Sequence, residues 1–244
     1  SDSPAFTRAG AMLALRRFIS DASFDEARRN LDANDSVVRV AAISKLEDLS
    51  DADTHRELIP MLKDPIRSVR TEAARILARA PETLFTRNDL EIFNEVFAEL
   101  ELRYTSNLDR PESHLSLGIL AENRNNPLDA ETHYKKAVRR EDTYVPARMN
   151  LATLLNKSGR SKEAEQFLRE AADLQPTWGQ VHYSLGLLLA EDRSRLPEAI
   201  RSLERATAYW KDNPRVFNNL AIAYWQSNKI DDAINSFLQA IQIQ

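Results

Sequence analysis

The segment LATLLNKSGRSKEAEQFLREA, residues 151–171, decides the fold because its spacing recurs along the chain. Its frame is Leu151-Ala152, then Ala164, Leu168 and Ala171. Before it the frame reads Leu117-Gly118, Ala130, Tyr134, Ala137. After it come Leu185-Gly186, Ala199, Leu203, Ala206, with one extra residue in the gap, and then Leu220-Ala221, Ala233, Phe237, Ala240. The small residues 118, 152, 186 and 221 therefore lie 34, 34 and 35 positions apart. A fixed period of this length predicts a repeat architecture and shifts the functional expectation from catalysis to binding.

Each period reads as two helices. Pro146 falls in a first turn, where its missing N–H costs nothing, and that helix is expected to run to about Lys157. Ser158-Gly159-Arg160 breaks it, and a second helix covers about 161–173. Leu174-Gln175-Pro176 ends the second, since Pro disfavours helical geometry in the residue before it. The small residue of the first helix and the first Ala of the second let two backbones approach closely. The Tyr, Leu or Phe three residues before the final Ala fills the space between neighbours. One such hairpin cannot bury its apolar face alone, so stacking is required.

These landmarks resemble the tetratricopeptide repeat across residues 111–244, as four hairpins at 111–144, 145–178, 179–213 and 214–244. Gly or Ala stands at the eighth position, Ala at the twentieth and twenty-seventh, and Pro176 at the thirty-second. The bulky fourth position departs from the pattern, with His114, Arg148, His182 and Phe217. Asp142 replaces the usual closing Pro in the first repeat, and the third carries an insertion around Ser194-Arg195-Leu196-Pro197. The resemblance implies an all-α fold, a right-handed α–α superhelix in which the first helix of each repeat lines the inner wall.

Composition agrees with a folded, water-compatible chain: 43% of the 244 residues are hydrophobic and 29% charged. Five glycines argue against Gly-rich phosphate loops and β-rich architecture. Residues 1–110 hold 16 basic and 20 acidic side chains, and 111–244 hold 17 of each, so neither half has the basic excess of a nucleic-acid binder. No cysteine is present, which removes disulfides, thiolate metal sites and haem attachment within this chain while leaving the compartment open. The apolar stretch Leu185–Ala190 is far too short to cross a bilayer, so no membrane insertion is expected.

Residues 1–85 carry a second, different repeat. Val69-Arg70 is followed by Ala73, Ala74, Ile76 and Leu77 and preceded by Asp64-Pro65. Thirty-one residues earlier, Val38-Arg39 is followed by Ala41, Ala42, Ile43 and Leu46, with Asp35-Ser36 in front. The Asp is expected to cap each helix and the three- and four-residue steps to form its buried stripe. Partner helices are expected at about 23–31 and 53–62, the first with Ser23 and Glu26 at capping-box spacing. This pattern resembles a short HEAT-repeat array over roughly 23–80. The resemblance implies that Arg39 and Arg70 are structural, bonding acidic or carbonyl groups of neighbouring repeats. Residues 86–110 read as a coupling helix, opened by Thr86 with Asp89 and striped by Leu90, Phe93, Phe97, Leu100 and Tyr104. The alternative, a flexible linker, is opposed by its low Gly and Pro content. The two arrays are then expected to form one continuous superhelix.

Catalytic and metal-binding patterns are missing. His55, His114, His133 and His182 lack metal-ligand spacing. His114 and His182, at the fourth repeat position, are expected to be satisfied packing residues, and His133 to be exposed. Carboxylates such as Glu163, Glu165, Asp231 and Asp232 sit at helix starts, where they complement the helix dipole. No cofactor, metal or enzymatic activity is expected.

One constellation points to a ligand. The sixth position of the four first helices reads Ser116, Asn150, Ser184, Asn219. By the resemblance this column faces the groove, where an Asn amide, donor and acceptor at once, can bond the backbone of a bound peptide. Around it lie Met149, Tyr183, Asn218, Leu187, Ile222 and Trp225, an apolar and aromatic lining with no basic clamp for acidic tails. Packing against the next repeat is the competing role for some of these side chains. A hydrophobic peptide segment or a helix is the expected partner.

Ser1-Asp2-Ser3-Pro4 reads as a start within a longer polypeptide. At the other end Ile241-Gln242-Ile243-Gln244 closes the last helix with no polar cap, leaving Ile234, Phe237 and Ile241 open for further repeats, a partner or self-association. Function is thus read as a non-catalytic protein-interaction scaffold. The alternative comes from a wider resemblance, carried by the HEAT-then-TPR order and the segment Arg110-Pro111-Glu112-Ser113-His114-Leu115-Ser116-Leu117-Gly118. It resembles the C-terminal part of bacterial multihaem c-type cytochrome proteins, which implies a docking arm of a larger periplasmic electron-transfer protein. Several Cys-x-x-Cys-His motifs encoded upstream of Ser1 would favour that alternative. Without it a cytoplasmic location is expected. An enzyme carrying the repeats as a regulatory module would need a catalytic domain after Gln244.

Overall fold

The computed structural model describes residues 4–15 and 20–243, so the readings made on residues 1–3 and 244 lie outside the described residues. Among the described residues the chain is all-α: fourteen α-helices follow one another with short connections and no strand. The contacts divide it into two compact units, Ser1–Leu108 with Ile119–Asn126, and Asp109–Gly118 with Pro127–Gln244.

In the first unit α1 (Ala5–Ala14) and α2 (Asp21–Arg29) pack on α3 (Ser36–Leu46). Then α4 (Asp51–Leu58) packs on α5 (Arg67–Leu77), and α3, α5 and α6 (Arg87–Thr105) form a row. The apolar stripe read from sequence is the core: Val38, Ile43, Leu46, Val69, Ile76, Leu77, Phe93 and Leu100 are all buried, joined by Leu58 and Val96.

The helix ends follow local chemistry with three corrections. Ser20, not Ser23, caps α2: its hydroxyl accepts from the Ser23 amide, and the Ser23 hydroxyl accepts from the Ser20 amide. Glu26 is instead taken by Arg29 and Asn30. Pro60 shortens the helix expected at 53–62, since it has no N–H to donate, and the chain continues as a 3-10 turn over Pro60–Lys63. Asp35 caps α3 through the Val37 amide (2.8 Å). Asp64 does not cap α5 as expected: the cap position is Ile66, two residues on, and Asp64 accepts from the Ile66 amide (2.8 Å) in the turn before the helix. Thr86 opens α6 as the sequence indicated, accepting from the Asp89 amide and donating to its carboxylate.

Arg39 and Arg70 lie where the periodicity put them and do the same job twice. Arg39 donates to both Asp64 oxygens (2.8 and 3.0 Å) and to the Ala33 and Asn34 carbonyls. Arg70 donates to both Glu99 oxygens (2.8 and 2.7 Å) and to the Asp64 and Pro65 carbonyls. Each guanidinium therefore ties the turn before its own helix to the next helical layer, in the planar two-point geometry that favours Arg over Lys.

The second unit is a file of hairpins. α7 (Pro111–Asn123) precedes α8 (Pro127–Arg140), α9 (Val145–Lys157) pairs with α10 (Ser161–Leu174), α11 (Gly179–Ala190) with α12 (Leu196–Tyr209), and α13 (Pro214–Gln226) with α14 (Ile230–Ile243). The paired alanines 130 and 137, 164 and 171, 199 and 206, and 233 and 240 are all buried. Helix packing needs the small residues opposite them. A Cβ on Gly118 would fall 2.3 Å from the Tyr134 ring, and one on Gly186 would fall 2.7 Å from Leu203. Three of the four hairpin turns use a left-handed residue, at Asn125 (φ 55°), Gly159 (φ 76°) and Asn228 (φ 59°), residue types that tolerate it best. The third repeat spends its extra residue there instead, as a 3-10 turn over Arg193–Arg195 capped by Asp192.

Candidate functional site

The first helices of the repeats are neighbours, with α11 touching both α9 and α13. Ser116, Asn150, Ser184 and Asn219 are half-buried. Neither serine nor Asn150 has a side-chain hydrogen-bond partner among the described residues, so their polar atoms are open to solvent or ligand. Asn219 differs. Its amide N–H groups donate to the Tyr183 hydroxyl (2.7 Å) and to the Arg215 carbonyl (3.1 Å), leaving its carbonyl oxygen as the open group.

Around this column Leu187, Ile222 and Trp225 are exposed, Trp225 most of all at 63%, while Asn218 is half-buried. Tyr183 is half-buried, its ring edge-on to Trp210 with centroids 5.9 Å apart. Met149 is buried with Val145, Ala171 and Val181, and so serves the junction between hairpins. All ten positions are uncharged. The Asn219–Tyr183–Trp210 series was not read from the sequence, because it spans three helices. Its only linear signal is an aromatic residue at a helix C-cap.

The fourth-position histidines are packing residues with partners. His182 is buried, and its Nε2 lies 2.7 Å from the Pro176 carbonyl, to which it donates. His114 is buried with its Nδ1 3.2 Å from that of His133. This corrects the expectation for His133: its side chain is only 17% exposed, because the hairpin brings it against His114. Burial lowers its pKa from the usual value, partly opposed by Asp129. Arg148 is also buried, with Nε 3.4 Å from Glu170.

An ion-pair ladder joins successive second helices. Arg160 reaches back to both Glu131 oxygens (2.9 and 2.8 Å) and Arg195 to both Glu165 oxygens (2.6 and 2.8 Å). Arg169 extends the second rung to Glu198. The third junction has no such rung: Ile200 occupies the place of Glu131 and Glu165 and is buried with Leu220 and Ala223, while Lys229 lies over the Tyr224 ring. Hydrogen bonds from Arg195, then Arg169, hold the Glu165 carboxyl at about 2, below its ordinary 4.5, against the desolvation that would raise it. A depressed carboxylate pKa gives stability that is complete above the ordinary value and lost as pH falls toward the depressed one. The stability gap between wild type and Glu165→Gln, measured by urea unfolding, is therefore expected to be widest at neutral pH and to close between about pH 4.5 and 2. A gap independent of pH in that window would refute the assignment.

Among the described residues no three His, Asp or Glu side chains meet as a metal site, and no helix is long and apolar enough to cross a membrane.

A file of helical hairpins with small residues at the crossings and a row of first helices defines a helical-repeat protein. Family comparison names the repeat: residues 123–188 match one tetratricopeptide-repeat model and 182–244 a second, so this part of the chain consists of tetratricopeptide repeats. Among solved structures the chain is similar to MamA, with a TM-score of 0.54 at 21% identity over 65% of this chain and 95% of that one. A form of MamA from Desulfovibrio magneticus RS-1 gives 0.51 at 16% identity, over 80% and 96%. At these identities the likeness concerns the fold. The general transcriptional corepressor ssn6 of Schizosaccharomyces pombe is 24% identical over 217 residues, 87% of this chain. The chain spans 19% of that relative's length.

Proposed function

We propose that this chain is a non-catalytic interaction scaffold whose tetratricopeptide groove holds an apolar peptide segment or helix. The observation that carries the proposal is the pairing of open amide and hydroxyl groups at Ser116, Asn150, Ser184 and Asn219 with the exposed Leu187, Ile222 and Trp225. Backbone-directed polar groups flanked by apolar surface suit a segment recognised by its main chain and anchored by hydrophobic side chains. A peptide selected by the wild-type chain from a displayed library provides the probe. Asn150→Ala/Asn219→Ala is expected to weaken it roughly thirtyfold, since each of the two hydrogen bonds contributes about 1 kcal/mol. Unchanged affinity would sink the groove assignment. The same proposal includes self-association through the exposed face of the last repeat.

Residues 1–85 are proposed as HEAT-like hairpins, a reading supported by the twin guanidinium clamps of Arg39 and Arg70. Residues 86–110 are proposed as a coupling helix and 111–244 as the four binding hairpins. That order also supports the second reading, a docking arm of a larger periplasmic multihaem cytochrome. Cys-x-x-Cys-His motifs encoded ahead of Ser1 would favour it, and their absence would remove it.

A further inference from the structure

We infer that the first repeat is closed by a histidine latch: His114 and His133 share one proton, and charging both rings opens the hairpin. Their Nδ1 atoms lie 3.2 Å apart and their ring centroids 5.4 Å apart. The second distance is nearly the first plus two ring radii, so both nitrogens lie close to the line joining the rings. A proton fits on that line. A bridging zinc ion does not, because it needs about 2.0–2.1 Å to each nitrogen, more than half of the 3.2 Å available. In a neutral imidazole one nitrogen donates and the other accepts, so one ring carries the Nδ1–H and the other receives it. An added proton enters at Nε2 of the donor ring and leaves this bond intact. The next must enter at Nδ1 of the acceptor ring, where two N–H groups would face each other and neither would have an acceptor. The closed pair therefore holds one positive charge, whereas two separated imidazoles hold two.

Packing keeps the rings from parting by a small shift. His114 is 4% exposed and the His133 side chain 17%. His114 stands one turn before Gly118, and His133 directly precedes Tyr134, whose buried ring fills the space that Gly118 leaves. The charges around the pair can offset one proton and not two. Burial lowers the His133 pKa from 6.5; Asp129, with Oδ1 4.0 Å from Nε2, opposes this, and Lys136 adds to it. On α7 the Glu112 charge acts on Tyr144. On α9 the buried Arg148 is taken by Glu170, and Glu131 of α8 is held by Lys135 and Arg160. A histidine held below its ordinary pKa gives stability that is present above that value and lost as pH falls below it. Carboxylates held low, such as Glu165, act only below about pH 4.5, so the range above belongs to the histidines. The later repeats carry Arg148 and Phe167, His182 and Ser202, and Phe217 and Ser236 at the same two positions, so the latch belongs to the first repeat. Ser116 lies two residues along α7 from His114, and opening withdraws it from the polar column.

The test is amide hydrogen exchange on the whole chain, read as protection factors at about pH 7.5 and pH 5. Protection of residues 111–118 and of α8 is expected to fall roughly thirtyfold, the effect of one excluded proton with an ordinary histidine pKa. His114→Asn is expected to remove most of that fall, since its side-chain oxygen can accept from a charged His133. His133→Gln makes the same test at the more exposed position, should His114→Asn lose its fold. A fall of wild-type size in both variants overturns the latch. Imidazole nitrogen shifts in NMR read the shared proton directly. One ring in the Nδ1–H form at about pH 7.5 supports it, and two rings in the Nε2–H form overturn it. Both rings charging with protection unchanged also overturns the latch, because the rings then part without opening the hairpin.

Discussion

Tyr134→Ala is expected to destabilise the repeat unit by about 3–5 kcal/mol, the range for deleting a fully buried aromatic side chain. The ring has no exposed surface, and it packs where Gly118 leaves no side chain between the helices. Gly118, which faces the ring, has no side chain to extend into the void. Repeats are held by contacts with immediate neighbours, so the damage should begin locally. Urea unfolding should show the loss, and hydrogen exchange should rise first in the amides of α8. A loss below about 1 kcal/mol, the scale of an ordinary surface change, would mean that the hairpin collapses around the gap.

Arg39→Ala is expected to cost a similar amount, about 3–5 kcal/mol, for a different reason. The Arg39 side chain is 11% exposed and Asp64 8% exposed, so removing the guanidinium strands a carboxylate out of water. Two carbonyl acceptors, Ala33 and Asn34, lose a donor as well. Arg70→Ala is the internal comparison. Arg70 and Glu99 are 25% and 27% exposed, so water can replace the lost partner and the cost should fall to about 1 kcal/mol. Equal losses in the two variants, measured by chemical denaturation, would show that burial is not what separates them.

The fold was legible because a period is a global signal: four copies of one frame cannot arise from local propensity, and Gly118 meets Tyr134 as their spacing required. The clamps at Arg39 and Arg70 were legible for the same reason, since a repeated residue at a helix start implies a repeated acceptor. Local capping was less so. Ser23 with Glu26 has the right spacing, but Ser20 with Ser23 forms the box one turn earlier, and Glu26 turns instead to Arg29 and Asn30, three and four residues further along the chain. His133 was misread because a residue on the outer side of a helix meets His114 only once the hairpin closes. Within the groove, the column positions followed from the period. The Asn219–Tyr183 bond did not, since it joins two repeats at unrelated positions.

The ladder of Arg160–Glu131 and Arg195–Glu165, ending at Ile200, also makes the hairpins non-interchangeable. Near-identical repeats invite docking in the wrong order, a common misfolding route for such chains. Here the third junction is chemically unlike the first two. If the third hairpin docked on a second copy of itself, Arg195 would meet buried Ile200 and lose its carboxylate. If the fourth hairpin followed the first, Lys229 would face Glu131 as a point charge where Arg160 makes two bonds. Two ionic junctions and one apolar junction thus reserve the last place for the fourth hairpin, and the chain reads as a sentence with an ending rather than as one word repeated.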